Sequence, residues 1–329
     1  MNATDLVKGT ILAVEEQIKL GVSACLLGQN VRYNGGHSRD PFITDTLSQY
    51  VEFFPVCPEV ECGLPVPREA MRLVGDPGCP RLITSNTKQD HTERMLKWCS
   101  RRVRELEELN LFGFIFKKGS PSSGMERVKV YSDQGMPSNR GIGMFARAFM
   151  EHFPLLPVEE DGRLNDPKLR ENFIEAIFVL KRWREALDPK PTRRAFVEFH
   201  TRHKLLLMSH SPQHMRQMGK MIAGIKSHSL DDFRLWYQRL LMDALRLKTT
   251  RRKNSDVLFH VMGFFKKQIA ADEKRELVET IDNYRKGHVP LIVPVTLLAH
   301  YVRKYDQTYL KGQVFLNPHP VELQLRNHV

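Results

Sequence analysis

The sequence lacks the features of a membrane-bound or exported protein. No run of about 18 or more apolar residues occurs, which excludes a transmembrane helix. The N-terminus carries Asp5, Glu15 and Glu16 around short apolar stretches and lacks the basic and then apolar layout of a signal peptide. We therefore expect a cytoplasmic protein without a membrane partner.

Cysteine is also scarce. The 329 residues include five cysteines, and no two of them form a CxxC pair. An odd count in a long chain without an export signal argues against a disulfide framework and leaves the thiols for metal binding, catalysis or packing. Internal repeats and low-complexity tracts are absent too. The composition, with 41% hydrophobic and 27% charged residues, is typical of a globular protein.

Acidic residues are few in the C-terminal part of the chain. Residues 1–190 hold 26 Lys and Arg against 26 Asp and Glu, whereas residues 191–329 hold 24 against 12. The whole net charge of +12 therefore lies after residue 190. This asymmetry favours a polyanion-binding module attached to a neutral one, and a solvated basic helical domain is the alternative.

The first half of the chain alternates β-like and helical patterns. Short β-like runs occupy residues 19–24, 54–56 and 111–116, and helical patterns occupy residues 44–54 and 87–110. This alternation predicts an α/β domain with a parallel, Rossmann-like sheet. Ligands of such sheets bind beyond the carboxyl ends of the strands.

The second half is helical throughout. Asp166 before Pro167 starts a helix over residues 168–186, and Pro189 and Pro191 end it. We predict an α/β domain over residues 1–165, a connector helix within 166–190 and a basic, all-helical domain over 191–329. Further helices are predicted over residues 192–208, 213–223, 230–247, 256–269, 272–286 and 294–309, with an extended arm over 315–329.

Three predicted strand ends carry similar chemistry. Cys25 follows the first strand in "VSACLLG", Cys57 follows the second in "PVCPE", and the loop "KKGSPSSG" follows the third. These loops can converge at one edge of a parallel sheet. Thiolates there suit a soft metal or an iron–sulfur cluster, although a lone buried cysteine often only packs.

Longer blocks around these loops resemble a known family. The segments "VSACLLGQNVRYNGG", "FPVCPEVECGLPVPREAMRLV" and "GSPSSGMERVKVY" are similar to the three signature blocks of the thiouracil desulfidase (TudS-like) family. The C-terminal segment, which ends "VPLIVPVTLLAHYVRKYDQTYLKGQVFLNPHPVELQLRN", resembles a helical domain fused behind that module in many bacterial proteins. The two-part chain resembles the tRNA 4-thiouridine desulfidases (RudS) most.

The resemblance implies an iron–sulfur-dependent, non-redox reaction. It would convert 4-thiouridine in tRNA to uridine and release hydrogen sulfide, with tRNA as the partner and a thiolated uracil base as the substrate. One alternative is a desulfidase of free thiouracil. Another is a non-catalytic RNA-binding protein that has lost its cluster.

The implied cofactor is a [4Fe-4S] cluster held by three cysteines. Cys25 and Cys57 match two of the ligands, but the third position holds Ser123. A serine hydroxyl is a hard, weakly acidic oxygen and a poor substitute for a thiolate. Either Ser123 is an engineered substitution that weakens or abolishes the cluster, or another ligand compensates, with Cys62 as the nearest spare thiol. The intact surroundings of Ser123 favour the substitution.

The resemblance also implies two catalytic side chains. A cluster with three thiolates leaves one iron open, which can act as a Lewis acid towards a thiocarbonyl sulfur. The attack of water then needs a general acid and base, and Glu59 matches the catalytic glutamate of the family. Ser120 matches its active-site serine. The structural alternatives are a salt bridge or a helix cap for Glu59 and the capping of a turn for Ser120.

Basic residues of the helical half are candidates for phosphate contacts, which set the affinity for RNA more than the sequence preference. Solvated helix faces are the alternative. The candidates are Arg193, Arg194, Arg202, Lys204, Arg251, Arg252 and Lys253.

Overall fold

The computed structural model describes residues 17–132 and 134–329. The first 16 residues, on which the expectation of a missing signal peptide rests, lie outside this range. Within it, none of the helices is both long and apolar enough to cross a membrane.

A parallel sheet of four strands forms the centre of the N-terminal half, as predicted. Its order is β2-β1-β5-β8, and Ser23 at the end of β1 lies opposite Val56 at the end of β2. The strand β1 is almost fully buried, which is typical of a parallel strand covered on both faces. The strands are β1 (Ile18–Ser23), β2 (Val51–Val56), β5 (Gly113–Phe116) and β8 (Val158–Glu160).

A second, mixed sheet of four strands was not predicted. Its order is β4-β3-β6-β7, and only the β3–β6 pair is parallel. Its strands have four or five residues and carry charges such as Arg72 and Lys129, so the apolar alternation is too short to recognise. The strands are β3 (Met71–Val74), β4 (Arg81–Thr84), β6 (Val128–Tyr131) and β7 (Pro137–Gly141).

The helix predicted over residues 44–54 is wrong. A π turn at Phe42–Thr46 and a 3₁₀ turn at Leu47–Gln49 occupy its first part, and β2 takes the rest. All six residues of β2 pair with β1, so the pairing in the sheet overrides the local helical pattern.

The other helices follow the predicted pattern with two shorter exceptions: the helix predicted over residues 87–110 begins at Thr92, and the one predicted over 294–309 ends at Lys304. The Asp166 side chain accepts hydrogen bonds from the amides of Lys168 and Leu169 and so caps α4 as expected. The helix predicted over residues 256–269 begins earlier, at Arg251, because the Thr250 side chain caps it. The helices are α1 (Pro58–Glu61), α2 (Thr92–Glu107), α3 (Met144–His152), α4 (Pro167–Ala186), α5 (Arg193–His210), α6 (Pro212–Ala223), α7 (Leu230–Arg246), α8 (Arg251–Met262), α9 (Ala271–Lys286), α10 (Ile292–Lys304) and α11 (Thr308–Lys311).

The helix α4 belongs to the packing of both halves. One continuous apolar core contains residues of β1, of α4 and of the helices that follow. Trp183 of α4 stacks on Tyr237 of α7 with 5.0 Å between ring centroids, while Arg184 donates to the backbone oxygens of Asn110 and Leu111 at 2.6 and 2.9 Å. The predicted boundaries at residues 165 and 191 remain a proposal.

Candidate functional site

One cavity collects the loops that follow β1, β2 and β5. Parallel strands end at the same edge of a sheet, so the loops after them meet there. The cavity has a volume of about 310 Å³. Its lining includes all five residues that the sequence places in the catalytic and cluster site: Cys25, Cys57, Glu59, Ser120 and Ser123.

The two thiols of the cavity are desolvated. Burial raises the pKa of Cys25 to about 11, although the positive charge of Lys117 opposes the shift. Burial also raises the pKa of Cys57, whose Sγ lies 3.8 Å from the backbone oxygen of Val31. Both thiols are therefore protonated at neutral pH without a metal, and a metal that binds them must displace the protons.

The third position of the donor set is an oxygen. Ser123 is only 3% exposed and borders the cavity, and its amide donates to Ser120 Oγ at 3.1 Å. A cluster with three soft ligands therefore finds suitable donors at Cys25 and Cys57 but not at position 123.

Cys62 does not supply the missing thiol in this arrangement. Its Sγ donates to the backbone oxygen of Glu59 at 3.2 Å, and its side chain packs with the core that contains Cys99. The side chain therefore lies outside the lining of the cavity.

The Glu59 carboxylate is bound at both oxygens. Arg68 Nε donates to Oε2 at 2.8 Å, and Arg68 Nη2 forms a second, shorter contact with the same oxygen. Ser122 Oγ donates to Oε1 at 2.9 Å. The Glu59 side chain is 12% exposed and that of Arg68 is 6% exposed, so this charge-assisted pair is shielded from solvent.

Arg68 and Ser122 connect the three loops through Glu59. Arg68 Nη2 also donates to the backbone oxygen of Val31 at 2.9 Å, and the Arg68 amide donates to that of Tyr33 at 2.8 Å. Val31 and Tyr33 belong to the loop after β1, while Ser122 belongs to the loop after β5. Sequence reasoning assigned no role to Arg68 or Ser122, although both lie within the blocks that carry the family resemblance.

Ser120 lies one step further from the carboxylate. Its Oγ accepts hydrogen bonds from the amides of Ser122 and Ser123 at 3.3 and 3.1 Å and lies 3.0 Å from Ser122 Oγ. Ser120 therefore caps the loop, and Ser122 is the serine that contacts Glu59.

Lys117 anchors the loop after β5. Its amide donates to Ser23 Oγ at 2.9 Å, and its Nζ pairs with Asp161 Oδ2 at 2.6 Å. The amide of Lys118 donates to the other oxygen of Asp161 at 2.7 Å. This network fixes a cationic side chain on the wall of the cavity that also carries Cys25.

The predicted RNA contacts do not lie at this cavity. Arg193, Arg202 and Lys204 are exposed on α5, and Arg194 pairs with Glu198 at 2.6 Å. The Lys253 ammonium donates to the backbone oxygens of His210 and Lys248 at 2.7 and 3.1 Å, so it already serves the local fold. Arg251 and Arg252 line a separate cavity.

Comparisons with known families divide the chain into two parts. A family model described as 2-thiouracil desulfurase matches residues 20–161, which contain the three loops of the cavity. A second model, described as a protein of unknown function (DUF1722), matches residues 204–320.

Individual relatives also match parts of the chain. The "Uncharacterized protein YbgA" of Escherichia coli (strain K12) is 30% identical over 165 residues, which are 50% of this chain and 98% of YbgA. The "Uncharacterized protein YbbK" of Bacillus subtilis (strain 168) is 31% identical over 108 residues, which are 31% of this chain and 71% of YbbK. Among solved structures, the [4Fe-4S]-dependent thiouracil desulfidase TudS is 27% identical with a TM-score of 0.38, and the match covers 46% of this chain and 95% of that chain.

Proposed function

This chain belongs to the family that joins a 2-thiouracil desulfurase domain to a DUF1722 domain, and we propose that it removes sulfur from 4-thiouridine in tRNA. The reaction takes place in the cytoplasm and yields uridine and hydrogen sulfide. The observation that carries this proposal is the convergence of Cys25, Cys57, Glu59 and position 123 in one cavity.

The cofactor that we propose for the family site is a [4Fe-4S] cluster. Cys25 and Cys57 would hold it together with a cysteine at position 123. With three thiolate ligands, such a cluster would supply a Lewis acid that is soft enough for a thiocarbonyl sulfur. In the Ser123 chain the third soft ligand is missing, so we expect weak or no binding of the cluster and little activity.

Glu59 is our candidate for the group that moves protons. The net reaction is a hydrolysis: the C=S bond of the base becomes C=O, water supplies the oxygen, and its two protons leave with the sulfur as hydrogen sulfide. No net electron transfer occurs. A carboxylate fixed between Arg68 and Ser122 can accept a proton from the attacking water and return it to the sulfur.

The other residues of the site act on position and charge. Ser122 and Ser120 form a chain of hydroxyls that starts at Glu59 and leads to the loop beside position 123, and we propose that Ser120 orients the substrate or relays a proton along it. Lys117 adds a positive charge on the wall of the cavity, which favours the thiolate form of Cys25.

The decisive experiment restores the third thiol. We expect the Ser123→Cys protein, purified without oxygen, to contain close to one cluster per chain, to turn brown and to release hydrogen sulfide from thiolated substrates. Ser100→Cys is a matched control, because it adds a thiol on the exposed face of α2 and should gain no cluster. A stable, stoichiometric cluster in the Ser123 chain would contradict the assignment of position 123.

The choice of tRNA over a free base rests on the charge distribution. The net charge of +12 lies after residue 190, where it can contact the phosphates of a large RNA. A desulfidase of free thiouracil is the alternative, and it would process the base equally well without these charges. If the cysteine-restored chain holds a cluster and binds tRNA but acts on neither substrate, the remaining candidate is a non-catalytic RNA-binding protein.

A further inference from the structure

A second cavity, of about 490 Å³, lies between the first turn of α4, the loop from α7 to α8 and the last turn of α9. We call it the basic pocket and define it by its five cationic lining residues. These are Lys168, Lys248, Arg251, Arg252 and Arg285.

The cations of the basic pocket are not held in ion pairs, although the carboxylate of Asp166 interacts electrostatically with Lys168 and Lys248. Among residues 17–132 and 134–329, none of the five has a carboxylate oxygen within the 4.0 Å of an ion pair. Several other cations of the helical half do form ion pairs, as in the Arg194–Glu198, Arg246–Asp243 and Lys311–Asp306 pairs, so what distinguishes the basic pocket is that five cations line one concave surface. The acidic residue in the lining, Glu171, faces Arg326, whose Nε donates to it at 3.0 Å. The cluster therefore concentrates positive charge in a concave surface.

The backbone of α8 adds to this field. Thr250 caps the helix and accepts from the amide of Lys253, so the amides of Arg251 and Arg252 are left at the positive end of a helix of 12 residues. A Cβ built on Gly287 would lie only 2.8 Å from Arg251 Nη1. Because a glycine has no Cβ, the guanidinium of Arg251 can pack against the end of α9. Arg251 forms a wall of the pocket, while Arg252 and Arg285 are exposed at its mouth.

The basic pocket lies on the side of the sheet that holds the catalytic cavity. Residues 161–166 connect the end of β8 at Glu160 to the start of α4 at Pro167, and β8 runs parallel to β5. The first turn of α4 is therefore at the carboxyl edge from which the catalytic loops extend. Lys248 also lines a cleft next to Met125, which follows the loop of Ser123 in sequence. The cleft therefore shares Lys248 with the basic pocket and reaches a residue that is two positions from Ser123 in sequence.

We propose that the basic pocket binds a backbone phosphate of the substrate RNA and sets the distance from that phosphate to the base in the catalytic cavity. This inference rests on the proposed action on tRNA and deepens it. It adds Lys168, Lys248 and Arg285 to the predicted RNA contacts. It also leaves out Lys253, whose ammonium is bound to two backbone oxygens.

The test compares tRNA affinity over a series of salt concentrations. The pocket variant is Arg252→Gln/Arg285→Gln, which removes two exposed cations and keeps Arg251 against Gly287. The control variant is Lys267→Gln/Arg303→Gln, which removes the same charge from exposed positions outside the pocket. The Ser123 chain serves for this test, because binding can be measured without a cluster.

We expect the pocket variant to bind tRNA about tenfold more weakly at 0.1 M salt. Its plot of log affinity against log salt should be flatter by about 0.9, the contribution of one neutralised phosphate. The control should stay close to the native chain in both quantities. Equal losses of tRNA affinity in the two variants would show that only the net charge matters. That result would contradict the proposed role of the basic pocket, while the proposed action on tRNA would stand. If the native chain does not bind tRNA at any salt concentration, both proposals fail.

Inorganic phosphate is the second probe, because a free anion has the same chemistry as a phosphodiester. We compare melting temperatures in phosphate and in chloride at equal ionic strength. Stabilisation by phosphate that the pocket variant loses, with tRNA affinities that remain equal, would assign the pocket to a small anion and overturn the RNA assignment. A loss of tRNA affinity in the pocket variant alone supports it.

Discussion

At the scale of single residues, Glu59 is the point at which the three loops of the cavity are joined. Its two carboxylate oxygens accept from Arg68 and from Ser122, and Arg68 continues to the backbone oxygen of Val31. These contacts restrict the carboxylate to one orientation next to the two thiols. Such positioning is what a proton-transferring group requires.

We expect Glu59→Gln to abolish most of the turnover in the cysteine-restored enzyme. The amide has the same shape but cannot accept a proton, and the loss of a positioned acid and base typically reduces the rate by about 10²–10⁴. The iron content and the absorption spectrum should not change, because Glu59 is not proposed as an iron ligand. Release of hydrogen sulfide measures the rate.

Glu52→Gln is the matched control for that substitution. Glu52 is exposed on β2, the strand that precedes Cys57, so its neutralisation should leave the rate unchanged. Normal turnover in Glu59→Gln would remove Glu59 from the mechanism, and a loss of iron in that variant would show that it supports the cluster instead.

The sequence identified the residues of the cavity that stand directly at the strand ends. Cys25 and Cys57 were recognisable because each follows an apolar run. The contacts of Glu59 were not predictable, because Ser122 lies 63 residues away in sequence and meets it only through the order of the strands. Arg68 is nine residues away, and nothing in its local sequence shows that its guanidinium turns back to Glu59.

At the scale of elements, α4 carries a buried charge network that has no role in the proposed reaction. Arg326 of the C-terminal arm donates to Glu171 and Glu175 at 3.0 and 2.7 Å, and His210 Nε2 lies 3.1 Å from Glu175. Burial opposes ionisation of Glu175, but the hydrogen bond from His210 and the charge of Arg326 outweigh it and lower the pKa of Glu175. His319 also lies close to the two carboxylates, but Arg326 binds both of them. We therefore interpret the cluster as a structural contact that holds the C-terminal arm, residues 315–329, against α4.

Buried neutral histidines make the helical half sensitive to acid. Burial lowers the pKa of His203 to about 3, and the pKa of His200 and of His319 to about 4. Each of these pKa values lies below the ordinary 6.5. As the pH falls below 6.5, these histidines therefore become protonated in the unfolded chain while they stay neutral in the folded chain. The free energy of unfolding is therefore unaffected by these histidines above pH 6.5, and it decreases progressively as the pH falls towards 4.

We expect His203→Gln to flatten this pH dependence. A difference of one bound proton between the unfolded and the folded state changes the free energy of unfolding by about 1.4 kcal/mol per pH unit. Between pH 6 and pH 4, the free energy of unfolding of the native chain should therefore fall more steeply than that of the variant by this amount per pH unit. Urea unfolding at several pH values measures both slopes, and their difference cancels the other titrating groups. Parallel slopes would show that His203 becomes protonated in the folded protein.

The elements themselves were predictable to different degrees. The helix α4 was clear from the sequence, because Asp166 and Pro167 mark its start and a long apolar pattern follows. The end of β2 was predicted over residues 54–56, but its beginning was hidden, because residues 44–54 have a local helical pattern that the pairing with β1 overrides. The strands of the second sheet are too short to show a period.

At the scale of the whole molecule, the apolar core does not stop at the predicted domain boundary. Trp183 on α4 is 1% exposed and packs against Tyr237 and Phe196 of the helical half. Trp98 on α2 is 5% exposed and belongs to a second core on the other face of the parallel sheet, against Phe145. The parallel sheet lies between the two cores that contain these tryptophans, and separation of the halves would expose the apolar face of α4.

We therefore expect the full chain to unfold in a single transition. Exposure of one large apolar side chain costs about 1.5–3 kcal/mol, so exposure of several on α4 would cost about as much as the roughly 5–15 kcal/mol that stabilises a typical domain. Two proteins test this, each with one buried tryptophan replaced by Phe: Trp98→Phe/Trp236→Phe reports from Trp183, and Trp183→Phe/Trp236→Phe reports from Trp98. Trp236 is 50% exposed, so its loss should be nearly neutral. Circular dichroism gives the urea midpoint of each variant as a whole. The fluorescence of the remaining buried tryptophan should give the same midpoint as circular dichroism in both proteins. If the Trp98 and Trp183 signals change at separate midpoints, the two halves unfold independently, and the boundaries at residues 165 and 191 mark two autonomous domains.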